Sequence, residues 1–161
     1  MDRRQISEEY TSIAEDLIQS EDVLAHLRDC KATIVYLSSE HKMMKDTKAV
    51  LGLCEKVNEK YKWGIPADFT ITLFEPNLIG LSSEQIRIVI FHELLHVGID
   101  YHDGEEQYSV IPHDIEDFKY IIDRFGAHWS EPTEEEHLSF EGLEMKIDLD
   151  SQIDENLKHL E

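Results

Sequence analysis

The stretch "FHELLHV", residues 91–97, sets His92, Glu93 and His96 into one of the most apolar runs of the chain. A polar group buried without a partner costs roughly 2–7 kcal/mol, and an ion costs more, so something must offset these three side chains. Two histidines four residues apart project from one face of a helix about one turn from each other. That is the spacing at which both can bind a single zinc ion. Glu93 lies about 100° round the helix, beside that site rather than on it. From there a carboxylate can take a proton from a water whose pKa the metal has lowered to roughly 7. The chemistry is hydrolysis, most often of a peptide bond. The bare HELLH string arises by chance often enough to be only suggestive. Its setting in a long, well-capped, apolar helix gives it weight against the competing reading of two core histidines and an exposed glutamate.

A catalytic zinc needs a third protein ligand. His102 stands ten residues after His92, where proteases with the pattern HExxHxxGxxH carry theirs, but Ile99 occupies the position of that pattern's glycine. A β-branched residue at a left-handed turn is costly. His113 is the better candidate. It follows Pro112 and precedes Asp114, which reads as the N-cap of a helix that would deliver the ligand rigidly. Glu116 is a further alternative, giving a His₂Glu site. Asp114, Glu116 and Asp117 could orient histidine ring N–H groups, or serve only as acids favoured at a helix start. Tyr101 and Tyr108 lie near enough in sequence to steady an oxyanion, and each also reads as an ordinary packing or surface tyrosine.

The elements that must position these residues can be read from periodicity. Residues 6–29 carry apolar side chains at helical spacing. "ATIVYL" (32–37) reads as a strand, 38–48 as a polar, locally basic loop or extended hairpin, and 49–63 as an amphipathic helix stopped by Gly64 and Pro66. "DFTITLF" (68–74) alternates like a half-buried strand, and "EPNLIG" turns the chain. Ser82 with Gln85 three residues later predicts a capping box, stapled by Leu81 onto Ile86, for a helix reaching about Val97. "QYSVIP" is a short extended segment, and "HDIEDFKYIIDRFG" a last helix closed by Gly126. The order predicts a small α+β domain, a short sheet packed with helices that include a central HExxH helix. We expect it to span 1–129, followed by an acidic tail over 130–161 with a helix near 150–160.

The chain has 161 residues, with 35 acids against 15 bases for a formal charge of −20. The tail alone holds 11 acids and 2 bases. Such a field repels nucleic acid and anionic lipid and attracts a cation, so general nucleic-acid binding is not expected. No run approaches the ~20 apolar residues of a membrane helix, and the N-terminus lacks the apolar core of a signal peptide. Cys30 and Cys54 show no CxxC pairing and read as reduced thiols in a cytoplasmic protein.

"HELLHV" followed by "PHDIEDF" and "FGAHW" resembles the putative phage metallopeptidases, small zincin-like proteins similar in style to the SprT-like group. The upstream strand, lysine-containing loop, "LGLCEKVNEKYK" and "DFTITL" are similar too, so the resemblance covers roughly Lys31–Trp129. It implies a zincin-like domain with His92, His96 and His113 as ligands of Zn²⁺ and Glu93 as general base. The loop after the first strand is less basic than is usual there. The resulting expectation is a zinc metallopeptidase acting on a protein or peptide in a bacterial or phage-infected cytoplasm. The alternative is a metal-stabilised module that binds and sequesters a partner without turnover. The sequence leaves the oligomeric state open.

Overall fold

The computed structural model, which describes residues 2–113, 117–132 and 140, builds a mixed four-stranded sheet with two helices packed on one face. In chain order the elements are β1 (Arg4–Ile6), α1 (Glu8–Ser20), a 3-10 turn (Asp22–Leu27), β2 (Ile34–Ser39), β3 (Met44–Lys45), β4 (Lys48–Ala49) and β5 (Gly52–Lys56). A second 3-10 turn (Glu59–Tyr61) leads to β6 (Phe69–Phe74), α2 (Glu75–Leu78), α3 (Ser83–Leu95), β7 (Val97–His102), β8 (Glu105–Val110) and α4 (Lys119–Phe125). The fold is α+β, as expected.

The sheet order is β1-β2-β6-β5, with β2 and β6 parallel and the two outer strands antiparallel to their neighbours. Phe69, Ile71 and Leu73 of β6 are fully buried in the main core, where they meet Ala14 and Leu17 of α1 and Ile88, Val89 and Phe91 of α3. On the opposite face of β6, Thr72 and Phe74 are buried as well. Arg4 covers them, donating to Thr72 Oγ1 (3.3 Å) and to Glu55 Oε1 (3.0 Å) with its guanidinium 5.9 Å from the Phe74 ring centroid. So β6 is buried on both faces, where its alternation suggested one wet face.

Several local expectations are corrected. Residues 49–63 form β5 and a 3-10 turn rather than a helix. A glycine inside that window already weakens a helix by about 1 kcal/mol, and pairing of Gly52–Lys56 with β6 outweighs the helical spacing of the neighbouring apolar residues. The helix read over 6–29 starts at Glu8, with Ser7 accepting from the Tyr10 N–H, and stops at Ser20; Ile6 belongs to β1. The chain leaving α3 turns directly into β7, paired with β8. The last helix begins only at Lys119, and the expected cap at Asp114 lies outside the described residues. Of the acidic tail, only 130–132 and Phe140 are described. Among the described residues, no helix is long and apolar enough to cross a membrane.

Phe140 is buried against Phe91 and Phe125, with ring centroids 5.8 and 5.0 Å away. The Arg124 guanidinium stacks 5.0 Å from the Phe140 ring centroid and donates to Glu21 Oε2 at 2.7 Å. Both charged side chains are nearly enclosed, which ties the end of α1 to α4. Removing one partner of such a pair leaves a desolvated charge. Arg124→Ala should therefore lower unfolding free energy by about 3–5 kcal/mol in urea titrations. A loss under about 1 kcal/mol would show that the pair behaves as a surface bridge.

Candidate metal centre

Helix α3 is anchored before it delivers anything. Ser82 Oγ accepts from the Gln85 N–H and Gln85 Oε1 from the Ser82 N–H, the reciprocal box expected from sequence. The buried Gln85 amide also donates to the carbonyls of Trp129 (2.9 Å) and Glu131, holding that segment against the helix start. At the other end His96 is the C-cap residue. Its Nδ1 lies 2.6 Å from the Ile111 carbonyl, and the Ile111 N–H returns a bond to the His96 carbonyl at 2.7 Å. This reciprocal pair closes the neck of the β7–β8 hairpin and brings the chain back to the helix two residues before His113.

His92, His96 and His113 each place a ring nitrogen within 4.8 Å of the other two. His92 Nε2 and His113 Nε2 face each other at 2.9 Å. The Phe118 ring backs all three imidazoles, with centroids 4.7–5.2 Å away. The Ile111 carbonyl can only accept, so His96 carries its proton on Nδ1 and its Nε2 is a lone pair. Burial lowers the His96 pKa to about 4, keeping the ring neutral and able to ligate.

His92 Nδ1 stands 2.7 Å from Asp117 Oδ1. The carboxylate lies off the line of a ring N–H, so this buried nitrogen has no aligned hydrogen bond. The acceptor still favours the proton on Nδ1, which turns a second Nε2 lone pair toward His113. Converging lone pairs repel unless a proton or a cation lies between them. The donor set therefore fits a divalent cation with a taste for imidazole, zinc first among the common ones. Asp117 is itself fixed by the Trp129 indole, whose Nε1–H donates to Oδ2 at 2.8 Å. Burial pushes the Asp117 carboxyl up, but His92 and Trp129 outweigh it and hold the group below its ordinary range.

Glu93 is 6% exposed and faces β5. A Cβ on Gly52 would sit 3.0 Å from Glu93 Cγ and 3.1 Å from Oε1, so any larger residue would have to push the Glu93 side chain aside. Burial, with the charge of Asp117, pushes the Glu93 pKa up to about 7, against the opposing effect of His92. Its proton affinity is thus set near neutrality. Cys54, next to it, has its thiol pushed up to about 12, chiefly by burial, and does not offer a thiolate.

These groups line one cleft of about 690 Å³, bounded by Lys45–Asp46, Lys48–Cys54, Val110 and Trp129–Ser130. The volume suits a small ligand or a few residues of an extended chain. Of the residues singled out from sequence, His92, Glu93, His96, His113 and Asp117 come together here. His102 does not: it is exposed at the far end of β7, 3.8 Å from Asp103. Tyr101 is exposed, Tyr108 bonds Glu106, and neither lines the cleft. Asp114 and Glu116 lie outside the described residues. Gly52, Phe118 and the hold of Gln85 on Trp129 and of Trp129 on Asp117 were not read from sequence. The glycine inside a supposed helix was the one available signal.

An α+β domain here brings three imidazoles together beside a buried carboxylate at a helix end, a set that could hold a metal ion. The chain belongs to the family described as "Putative phage metallopeptidase", whose model matches residues 3–140. No curated protein and no solved structure gives a match.

Two measurements test this geometry. Asp117→Asn should weaken zinc or cobalt binding about 10–100-fold in chelator competition, whereas unchanged affinity would make Asp117 a bystander. The second concerns the metal-free protein. Glu93 keeps its proton to about pH 7 when folded but only to 4.5 when unfolded, so its stability contribution is full below 4.5 and lost as pH rises through about 7. The stability advantage of Glu93→Gln over wild type should therefore open across that window and then level off. His96 titrates oppositely but is common to both proteins. A difference independent of pH would mean that Glu93 is not perturbed.

Proposed function

We propose that the protein is a zinc-dependent peptidase of zincin type, with His92, His96 and His113 holding the ion and Glu93 acting as general base. The observation that carries this reading is the convergence of three imidazole nitrogens within 4.8 Å beside a buried carboxylate, in a cleft of about 690 Å³. Zinc bound there supplies Lewis acidity, polarising a carbonyl and acidifying water. The chain's own part is to hold imidazoles in fixed tautomers through Ile111 and Asp117. Glu93 then accepts a proton from the attacking water at a carboxylate oxygen and returns it to the leaving amine. The carboxylate's place on the cleft beside the three imidazoles suits both directions of that transfer. The free thiols Cys30 and Cys54 suit a reducing cytoplasm, bacterial or phage-infected.

Metal content by elemental mass spectrometry, on wild type and His113→Ala prepared side by side, is the direct test. About one zinc per wild-type chain should fall sharply in His113→Ala, and Glu93→Gln should keep the metal while losing peptide cleavage by at least about a hundredfold. Zinc retained by His113→Ala would displace His113 as ligand. A wild type that cleaves no peptide when loaded would favour a binding module.

A further inference from the structure

The cleft has one wall that the core does not need. β3 and β4 form a two-stranded hairpin whose four residues, Met44, Lys45, Lys48 and Ala49, are all exposed. It contributes nothing to the buried core, yet it is held firmly. Asn77 on α2 donates from Nδ2 to both the Met43 and the Val50 carbonyls at 2.8 Å, and the Val50 N–H bonds the Met43 carbonyl across the neck.

The turn is built at a local cost. Its two residues, Asp46 and Thr47, have φ of 50° and 69°. A two-residue turn with both residues left-handed matches the twist of a hairpin, but the usual occupants are asparagine and glycine. A β-branched residue there is an outlier, and such outliers gather where function demands them. The tight turn fixes the register that sets Lys45 directly opposite Lys48, although like charges in facing positions repel. Both lysines line the cleft that holds His92, Glu93, His96 and His113. Residues 42–48 carry three lysines and one acid in a chain of formal charge −20.

We propose that the β3–β4 hairpin is a substrate-reading arm, in which Lys45 and Lys48 recognise carboxylates on a polypeptide lying in the cleft. This rests on the peptidase reading above and gives it a substrate class: peptides acidic near the scissile bond. The carboxylates can be Asp and Glu side chains or a chain terminus. The whole-protein field predicts the opposite preference, since a strongly anionic protein repels acidic peptides. A preference for acid is thus attributable to the arm.

Binding can be measured without turnover, on zinc-loaded Glu93→Gln, by fluorescence anisotropy at low salt. The probes are a labelled twelve-residue peptide rich in Glu and Asp, its Gln/Asn counterpart, each with a free or amidated C-terminus, and a twelve-nucleotide oligothymidylate. The acidic peptide should bind about tenfold more tightly than the neutral one. Lys45→Gln/Lys48→Gln, with unchanged zinc content, should bring the two within about twofold. Preference surviving amidation assigns recognition to side chains, and preference lost on amidation assigns it to the terminus. Equal binding of both peptides, an acidic preference unaffected by the double substitution, or lysine-dependent binding of oligothymidylate in place of peptide would overturn the proposal. Acidic peptides that bind through the lysines but are never cleaved by zinc-loaded wild type would leave the arm standing and remove the peptidase reading.

Discussion

The approach of β5 to α3 at Gly52 governs the rest of the molecule. It seals Glu93 away from water, which raises its proton affinity, and it makes the same strand one wall of the cleft. The general-base role proposed for Glu93 asks that its carboxylate be buried and yet lie on the cleft. An edge strand with no side chain at one position meets both demands. In the order β1-β2-β6-β5, the edge strand β5 packs against α3 beside β6.

Around that contact the histidines are held less by their own helix than by what returns to it. His96 is pinned by the Ile111 backbone, and His92 is faced by Asp117, which Trp129 holds from behind. Trp129 in turn is fixed by Gln85, the residue that caps the start of α3. One helix therefore secures both its own end and the segment that orients its first histidine. The Gln85 side chain thus links the capping box, through Trp129, to the backing of the Asp117 contact.

The fold class and the meeting of three histidines were both legible, whereas several elements between them were not. HELLH sets His92 and His96 on one helix face by local spacing alone, and His113, which stood out through its proline and acidic neighbours, meets them in space. The capping box at Ser82 and Gln85 was also local, and it is present. What could not be read depends on distant pairing. Residues 49–63 have helical spacing, and nothing within them announces that Gly52–Lys56 will be claimed by β6. β7 was hidden because its first residues continue the apolar run of α3 without a break. β1 has three residues, all exposed, and no pattern of its own. In each case tertiary contact overrode a weak local preference, as expected where propensities differ by less than about 1 kcal/mol per residue.

The neck joining His96 to Ile111 has an evolutionary consequence. Because three backbone atoms and one ring nitrogen clamp the ends of the intervening hairpin together, residues added at its tip need not disturb the clamp. Its tip, at Asp103–Gly104, is far along the strands from the clamp. Insertions or deletions there would alter how many residues separate the second histidine from the third while leaving their positions in space unchanged. Relatives of this chain need not share that interval, and a search keyed to a fixed count between them would pass over proteins that carry the same centre.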